Sequence, residues 1–451
     1  MDAAAIGSFL RMVNDLIWNF PLMMVILGTG AYFTIKLKVL KISNFKLGMK
    51  CVFKSNRSSV GDISNFASLC TVLSATLGTG NIVGVAVAMA IGGPGVIFWL
   101  WISAFFCLSI KYAEGLLAIK YRIVGKDDKI SGGPMYYIER GLQNKRLAEV
   151  YSLCGVLVAF FGIGTFAQSN SIVAAINGSF GISETAATTA LGIVVIAVTM
   201  GGIHRISSVA KKVVPAMTFA YIGTAILALI VNFKFIPQAF LMILQGAFSP
   251  ESILGAGTGV TVMSAVHLGI SRGIFSHESG LGSAAIASAT AKTDSAVEQG
   301  LISMVGAFLT VVVCTMTGLV LIVAHNDTAV FNAAAKTLEG SMLTSYAFGA
   351  GLGMPELGKY VVNLGIVFFA FTTIIGWNYY GEKCAQYLWG NRIVIPYKIL
   401  FVLFVVVGPF LQIDMAFIVA DIVIGLMVIP NLIGIIGLKK VIESETTKFF
   451  R

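Results

Sequence analysis

Charge is what this chain of 451 residues has least of: Asp, Glu, Lys and Arg make up 12%, against about 25% in soluble domains. With 57% of its residues hydrophobic, no water-soluble fold has enough interior to hide its apolar surface, so its solvent is largely lipid. Cysteine is sparse as well. Cys51, Cys70, Cys107, Cys154, Cys314 and Cys384 are scattered, with no CxxC and no Cys/His cluster, which excludes a disulfide frame and a thiolate metal site and leaves small apolar fillers. No cleavable signal is evident, because Asp2 makes the start acidic and the first apolar run reaches spanning length. No soluble domain or linker interrupts the sequence, and the net charge of +10 reads as cytoplasmic loops rather than as a nucleic-acid surface.

What the chain has in abundance is long, continuous apolar runs. In lipid the backbone must satisfy itself, which leaves helix bundles or closed barrels. Runs that do not alternate exclude the barrel. The expected fold is all-α and polytopic, with eleven spans at 17–37, 62–91, 95–119, 149–176, 184–203, 212–232, 254–287, 297–324, 358–388, 395–411 and 415–437. The segment after the first span carries Lys36, Lys38, Lys41, Lys46, Lys50, Lys54 and Arg57 and no acid, a cytoplasmic marker that puts the N-terminus outside. Lys120, Arg122, Lys126 and Lys129, then Arg205, Lys211 and Lys212, then Lys292, Arg392, Lys439 and Lys440 fall on the same side, and the C-terminus is expected inside. The stretches 233–253 and 325–357 are read as outer loops, the second with a short amphipathic helix over NDTAVFNAAAKTLEG.

The placement of the 49 glycines says more than their number. Two spans are crowded with small and polar residues: Ser74 to Gly84, reading SATLGTGNIVG, and His267 to Gly280, reading HLGISRGIFSHESG. Each helical glycine costs about 1 kcal/mol relative to alanine, so such clusters invite local unwinding. Unwound backbone at membrane depth is tolerated only where it lines a cavity or is buried in protein. The breaks are five spans apart, the spacing of inverted five-helix repeats, and matched interruptions are the best sequence pointer to a transporter's binding site. Half-helix N-termini would meet a carboxylate, and freed carbonyls with hydroxyls would meet a cation. A single Gly80–Gly84 pair alone would read as a packing surface.

At these residues the chain resembles the alanine or glycine:cation symporter family, the sodium:alanine symporters. The resemblance rests on GTGNIVG (78–84), SGGPMYYIERG (131–141), GIGTFAQSNS (162–171), SRGIFSHESGLGSA (271–284) and GWNYYGEK (376–383), and covers essentially the whole chain. It implies a LeuT-type fold: one N-terminal extra helix and basic loop over 1–60, then a core over 61–441 made of repeats 61–232 and 253–437. It also implies import of alanine or glycine with Na⁺ by a monomer in the cell membrane, with no organic cofactor and no nucleic acid. Carried over by pattern, Thr76, Gly78, Thr79 and Gly80 would bind substrate. Na⁺ would lie between the carbonyls of Ser74 and Leu77 and the hydroxyls of Thr372 and Thr373, with Asn81 at a second Na⁺ site. Phe166 and Asn170 share a helical face at i, i+4; Asn170 would take the substrate amine, and Gln168 would point elsewhere. Ile270, Ser271, Gly273 and Phe275 would add to the pocket, and Trp377 would wall it against larger side chains. No carboxylate partner for the amine is obvious.

Other signals weigh less. GISRG (269–273) fits the nucleophile-elbow pattern but lies in a membrane helix without a strand–turn–helix context, and His277-Glu278 fails the zinc motif because position 281 is Leu. Lys111 and Glu114 at i, i+3 are expected to pair; Arg272, His277 and Glu278 are expected at a cytoplasmic gate with Asp62; Asp421 awaits a cation. A passive facilitator or channel, or a proton-coupled symporter, are the alternatives. A channel would show a repeated filter segment, and none is seen.

Overall fold

The computed structural model describes residues 3–18, 20–54, 59–125, 130–249, 261–324, 340–410 and 413–451. The described chain is helical apart from a two-residue antiparallel hairpin, in which Ile123–Val124 pairs with Ile130–Ser131. It begins with α1 (Ala3–Ile17), α2 (Phe20–Leu37) and α3 (Ile42–Phe53). Next come α4 (Asn65–Thr76), α5 (Val83–Gly92), α6 (Val96–Lys120), α7 (Pro134–Gly141), α8 (Lys145–Phe161) and α9 (Phe166–Phe180). The middle of the chain forms α10 (Glu184–Thr199), α11 (Gly202–Val231) and α12 (Ile236–Phe248). The remainder is α13 (Val262–His277), α14 (Ser283–Ser288), α15 (Ala296–Val323), α16 (Gly340–Leu352), α17 (Pro355–Trp389), α18 (Val394–Val407), α19 (Ile413–Gly437) and α20 (Lys439–Phe450).

Eight of the described helical stretches are long and apolar enough to cross a membrane, and three shorter apolar ones accompany them. The spans expected over 62–91 and 254–287 are not single rods. Each is split, the first into α4 and α5, the second into α13 and α14. The expected outer loop at 233–253 carries α12 instead, and α16 forms within the loop expected at 325–357. The amphipathic helix expected over 326–340 lies outside the described residues, save its last.

Helix starts follow local chemistry. Ser64 Oγ accepts from Ala67 N (3.3 Å) at α4, and Thr261 Oγ1 accepts from Ser264 N (3.2 Å) at α13. Ser295 accepts from Glu298 N (3.2 Å) at α15, and Pro355 opens α17. The buried helices pack through glycine. A Cβ on Gly376 of α17 would lie 2.9 Å from the Cβ of Ala75 on α4, so the two backbones nearly touch. A Cβ on Gly269 would lie 2.5 Å from Trp99 Cβ, and one on Gly273 would meet Ser103 Oγ at 2.1 Å. These two glycines, four residues apart on α13, seat it against α6. This narrows the break expected within 267–280: α13 stays helical to His277, through Gly269 and Gly273, and the chain unwinds only from Glu278.

Candidate functional site

The first break follows Thr76. Gly78 is extended (φ −123°, ψ −164°), and a single 3-10 turn, Thr79–Asn81, leads into α5. That turn is closed by Asn81 N donating to Gly78 O and Ile82 N to Thr79 O, both 3.2 Å. The amides of Gly78, Thr79 and Gly80 fall at its start, where helical partners are missing. Thr79 N points to Gln168 Oε1 at 3.4 Å. Asn81 braces the break: Nδ2 donates to Thr76 O (2.8 Å), while Oδ1 accepts from Ser276 Oγ and from Cys314 Sγ (3.1 Å).

The second break runs from Glu278 to Gly282. Glu278 takes a left-handed φ of +50°, followed by Gly280 at +94° and Gly282 at +74°. A glutamate in this region is uncommon, and such strain collects at functional sites. Every freed backbone group named next has a partner in a neighbouring helix. Lys111 Nζ donates to Glu278 O (3.0 Å), and Glu114 Oε1 accepts from Gly280 N (2.8 Å) and Gly282 N (3.0 Å). Asn431 Nδ2 donates to Gly280 O (2.7 Å), and Tyr151 Oη donates to Leu281 O (3.0 Å). Lys111 and Glu114 do pair, at 3.8 Å, and both serve this cradle. The cradle aims the Glu278 side chain inward, where Oε1 accepts from Trp377 Nε1 (3.1 Å) and Oε2 from Ser283 Oγ (2.6 Å).

Between the breaks lies a small cavity lined by Ala75, Thr76, Gly78, Gly80, Asn81, Ile163, Gln168, Phe275, Glu278 and Thr373. Its free volume, about 10 Å³ for the centre of a water-sized sphere, fits one water. The two glycines are required by contact. A Cβ on Gly80 would lie 2.6 Å from Phe275 Cε1, and one on Gly78 would lie 2.9 Å from Thr373 Oγ1 and 3.2 Å from Gln168 Nε2. Thr373 Oγ1 reaches Leu77 O at 3.2 Å while also donating to Phe369 O at 2.9 Å, so one carbonyl freed by the break and one hydroxyl stand side by side.

The structure thus gathers Thr76, Gly78, Gly80, Asn81, Gln168, Phe275 and Thr373 around one cavity, with Leu77 and Thr79 in the break itself. Ser74 and Thr372 are fully buried; the Thr372 hydroxyl bonds to Phe369 O (3.0 Å) within its own helix, whereas the group expected of Ser74 is its carbonyl, not the hydroxyl that bonds to Thr71 O (2.7 Å). Trp377 donates to Glu278 and is not among the residues that line the cavity. Five further expected residues do not line the cavity. Phe166 stacks on Phe404 and meets Phe161 edge-on, and Asn170 Nδ2 donates to Pro409 O (3.3 Å). Ile270 sits in the apolar core, half-buried Ser271 bonds back to Leu268 O (3.4 Å), and Gly273 is taken up by Ser103. On α9 it is Gln168, expected to point elsewhere, that lines the cavity, and not Phe166 or Asn170. Glu278 and Ile163 were missed. A sequence signal for Glu278 existed, an acid between a serine and glycines in a span, but the turn that aims it did not show.

The expected gate is also rearranged. Arg272 pairs with Asp421 Oδ2 (3.2 Å), which supplies the partner sought for that acid. Asp62 instead accepts from Ile130 N (3.3 Å). The segment before α4 pairs with the segment after α14 through Asp62 N to Thr290 O (2.8 Å) and Lys292 N to Ile63 O (2.8 Å). Arg122 fastens both, with Nη1 donating to Ala289 O (3.0 Å) and Ala291 O (2.8 Å), and Nη2 to Val60 O (2.9 Å) and Thr293 O (2.7 Å).

A helical membrane protein with two broken helices closing on a polar cavity, tied shut at one end, is built as a secondary transporter. Over residues 3–451 the chain matches the model of the sodium:alanine symporter family, and it belongs to that family. It is 47% identical over 447 residues to an uncharacterized transporter of Haemophilus influenzae, covering 99% of this chain and 96% of that one. It is 42% identical over 451 residues to the sodium/alanine symporter AgcS of Methanococcus maripaludis, covering 98% and 97%. Its fold is similar to the crystal structure of MhsT in complex with L-phenylalanine (TM-score 0.59, 13% identity, 86% of this chain and 98% of that one), a LeuT-like neighbour. The chain is therefore a multi-pass, cation-coupled amino-acid symporter and not an enzyme.

Proposed function

We propose that this symporter imports small neutral amino acids, alanine and glycine, together with Na⁺, by alternating access between two inverted repeats at 61–232 and 253–437, with 1–60 as an added helix and basic loop and with eleven crossings in all. The observation that carries the reading is that both breaks line one cavity: Gly78 and Gly80 from the first, and the buried Glu278 from the second. The amides and Gln168 hold the substrate carboxylate, and Glu278 holds its ammonium. Thr76 and Phe275 complete the walls. Na⁺ takes Leu77 O and Thr373 Oγ1 first, with Ser74 O and Thr372 Oγ1 as further donors. The closeness of Gly80 to Phe275 favours the smallest side chains.

The protein acts as a monomer in the cell membrane, with its N-terminus outside and its C-terminus in the cytoplasm. The Arg122 clasp closes the cytoplasmic end, so inward opening requires its four carbonyl contacts to part.

Uptake of labelled alanine into proteoliposomes tests the reading. A Na⁺ gradient drives accumulation, and a proton gradient alone does not; uptake that ignores Na⁺ would sink it. In the same assay, Thr373→Ala raises the half-saturating Na⁺ concentration about tenfold, the loss of one cation donor worth about 1.4 kcal/mol, with little change in thermal stability. Unchanged Na⁺ dependence would remove Thr373 from the ion site.

A further inference from the structure

Where α2 ends, its last turn, the following loop and the tip of α20 enclose a groove of about 610 Å³ far from the substrate cavity, lined by Lys36, Lys38, Lys41 and Arg451. That volume lies in the range of pockets that hold drug-sized ligands, about 300–1,000 Å³. The three lysines are exposed, and none has an ion-pair or hydrogen-bond partner for its side chain among the described residues. The acid that lines the same groove, Glu443, accepts from the Tyr32 hydroxyl at 2.6 Å and keeps its single negative charge, which the side chains of Lys36, Lys38, Lys41 and Arg451 outnumber four to one. Two features place the groove at the membrane boundary. It opens at the end of a membrane-crossing stretch, Gly7–Leu37. The helices beside it expose apolar side chains in line with their lysines: Ile42 (77%) and Phe53 (69%) on α3, and Phe450 (42%) on α20. A solvated face would gain nothing from such exposure; an interfacial helix buries it between headgroups and acyl chains.

We propose that this groove is a binding site for the phosphate headgroup of an anionic phospholipid, whose acyl chains lie against the apolar side chains of α3 and α20. Three to four unpaired cations at the cytoplasmic end of a spanning helix match a phosphodiester in charge and position. The bound lipid ties the basic segment between α2 and α3 to α20.

Native mass spectrometry of the purified full chain tests this, with dioleoyl-phosphatidylglycerol as the probe, dioleoyl-phosphatidylcholine as the neutral lipid and inorganic phosphate as the soluble anion. Phosphatidylglycerol is retained in preference to phosphatidylcholine, and phosphate does not displace it. The triple variant Lys36→Gln/Lys38→Gln/Lys41→Gln lowers the phosphatidylglycerol affinity on the order of 100-fold, three cations each contributing about fivefold near an anionic surface. Lys46→Gln/Lys50→Gln, which removes charge from α3 outside the groove, leaves it nearly unchanged. If the triple variant does not fold, Lys41→Gln alone carries the test with a loss of about fivefold. Equal losses in the groove and control variants would mean diffuse attraction and overturn the site. Displacement by phosphate would assign the groove to a soluble anion instead, and retained affinity in the triple variant would also overturn the proposal.

Discussion

Glu278→Gln lowers alanine uptake on the order of 100-fold or more, the cost of leaving one member of a buried charge pair unmatched being about 3–5 kcal/mol. The substitution is nearly isosteric. Trp377 Nε1 can still donate to the amide oxygen, so the left-handed turn and the cradle from Lys111, Glu114 and Asn431 persist. What is lost is the negative charge in a cavity where the carboxylate is 1% exposed. The loss falls on substrate affinity as well as turnover, because the ammonium is held in the ground state. Thermal unfolding of the purified variant is the control, and it shifts by only a few degrees. Uptake within about twofold of the parent would remove Glu278 from the ammonium site, since a charge partner cannot be deleted so cheaply.

Gly80→Ala lowers uptake by about tenfold or more through geometry alone, because displacing a binding group by about 1 Å can cost up to 100-fold. The new Cβ would fall 2.6 Å from Cε1 and 2.7 Å from Cδ1 of Phe275. Both clashing atoms belong to a side chain, so the ring swings aside rather than the helix breaking, and it swings into the cavity. Adding Phe275→Leu to Gly80→Ala restores part of the uptake, since the branched chain leaves room for the methyl. Two residues in contact are expected to be non-additive in this way. Strictly additive losses would show that Gly80 and Phe275 do not meet in the transporting protein.

The first break was legible because Gly78, Gly80 and Asn81 are crowded into four residues. The second was read too early because Gly269 and Gly273 look like helix breakers in sequence. Trp99 and Ser103 turn them into packing glycines, and those contacts exist only once α6 is in place. The true break then falls on Glu278, Gly280 and Gly282, where the partners are Glu114, Asn431, Lys111 and Tyr151, more than a hundred residues away in sequence. The same nonlocality hid the cavity face of α9. A helical wheel fixes which residues share a face but not which face points inward, and choosing Phe166 with Asn170 put Gln168 on the wrong side. Arg122 read only as one of several loop cations, because a guanidinium bound to four carbonyls leaves no acidic partner in the sequence to mark it. Thr373 and the Leu77 carbonyl were expected together through the family resemblance, and the close approach of Gly376 to Ala75, one turn along α17 from Thr373, is what brings that hydroxyl within 3.2 Å of the carbonyl.

The central claim is that the two breaks grip opposite charges of one small zwitterion in the presence of Na⁺. Isothermal titration of the purified protein with alanine, alaninamide and propionate, each in sodium and in potassium chloride, tests it most directly. The account predicts heat of binding for alanine in sodium only, with both single-charge analogues silent. Comparable binding of propionate or alaninamide, or alanine binding that is indifferent to the cation, would contradict it.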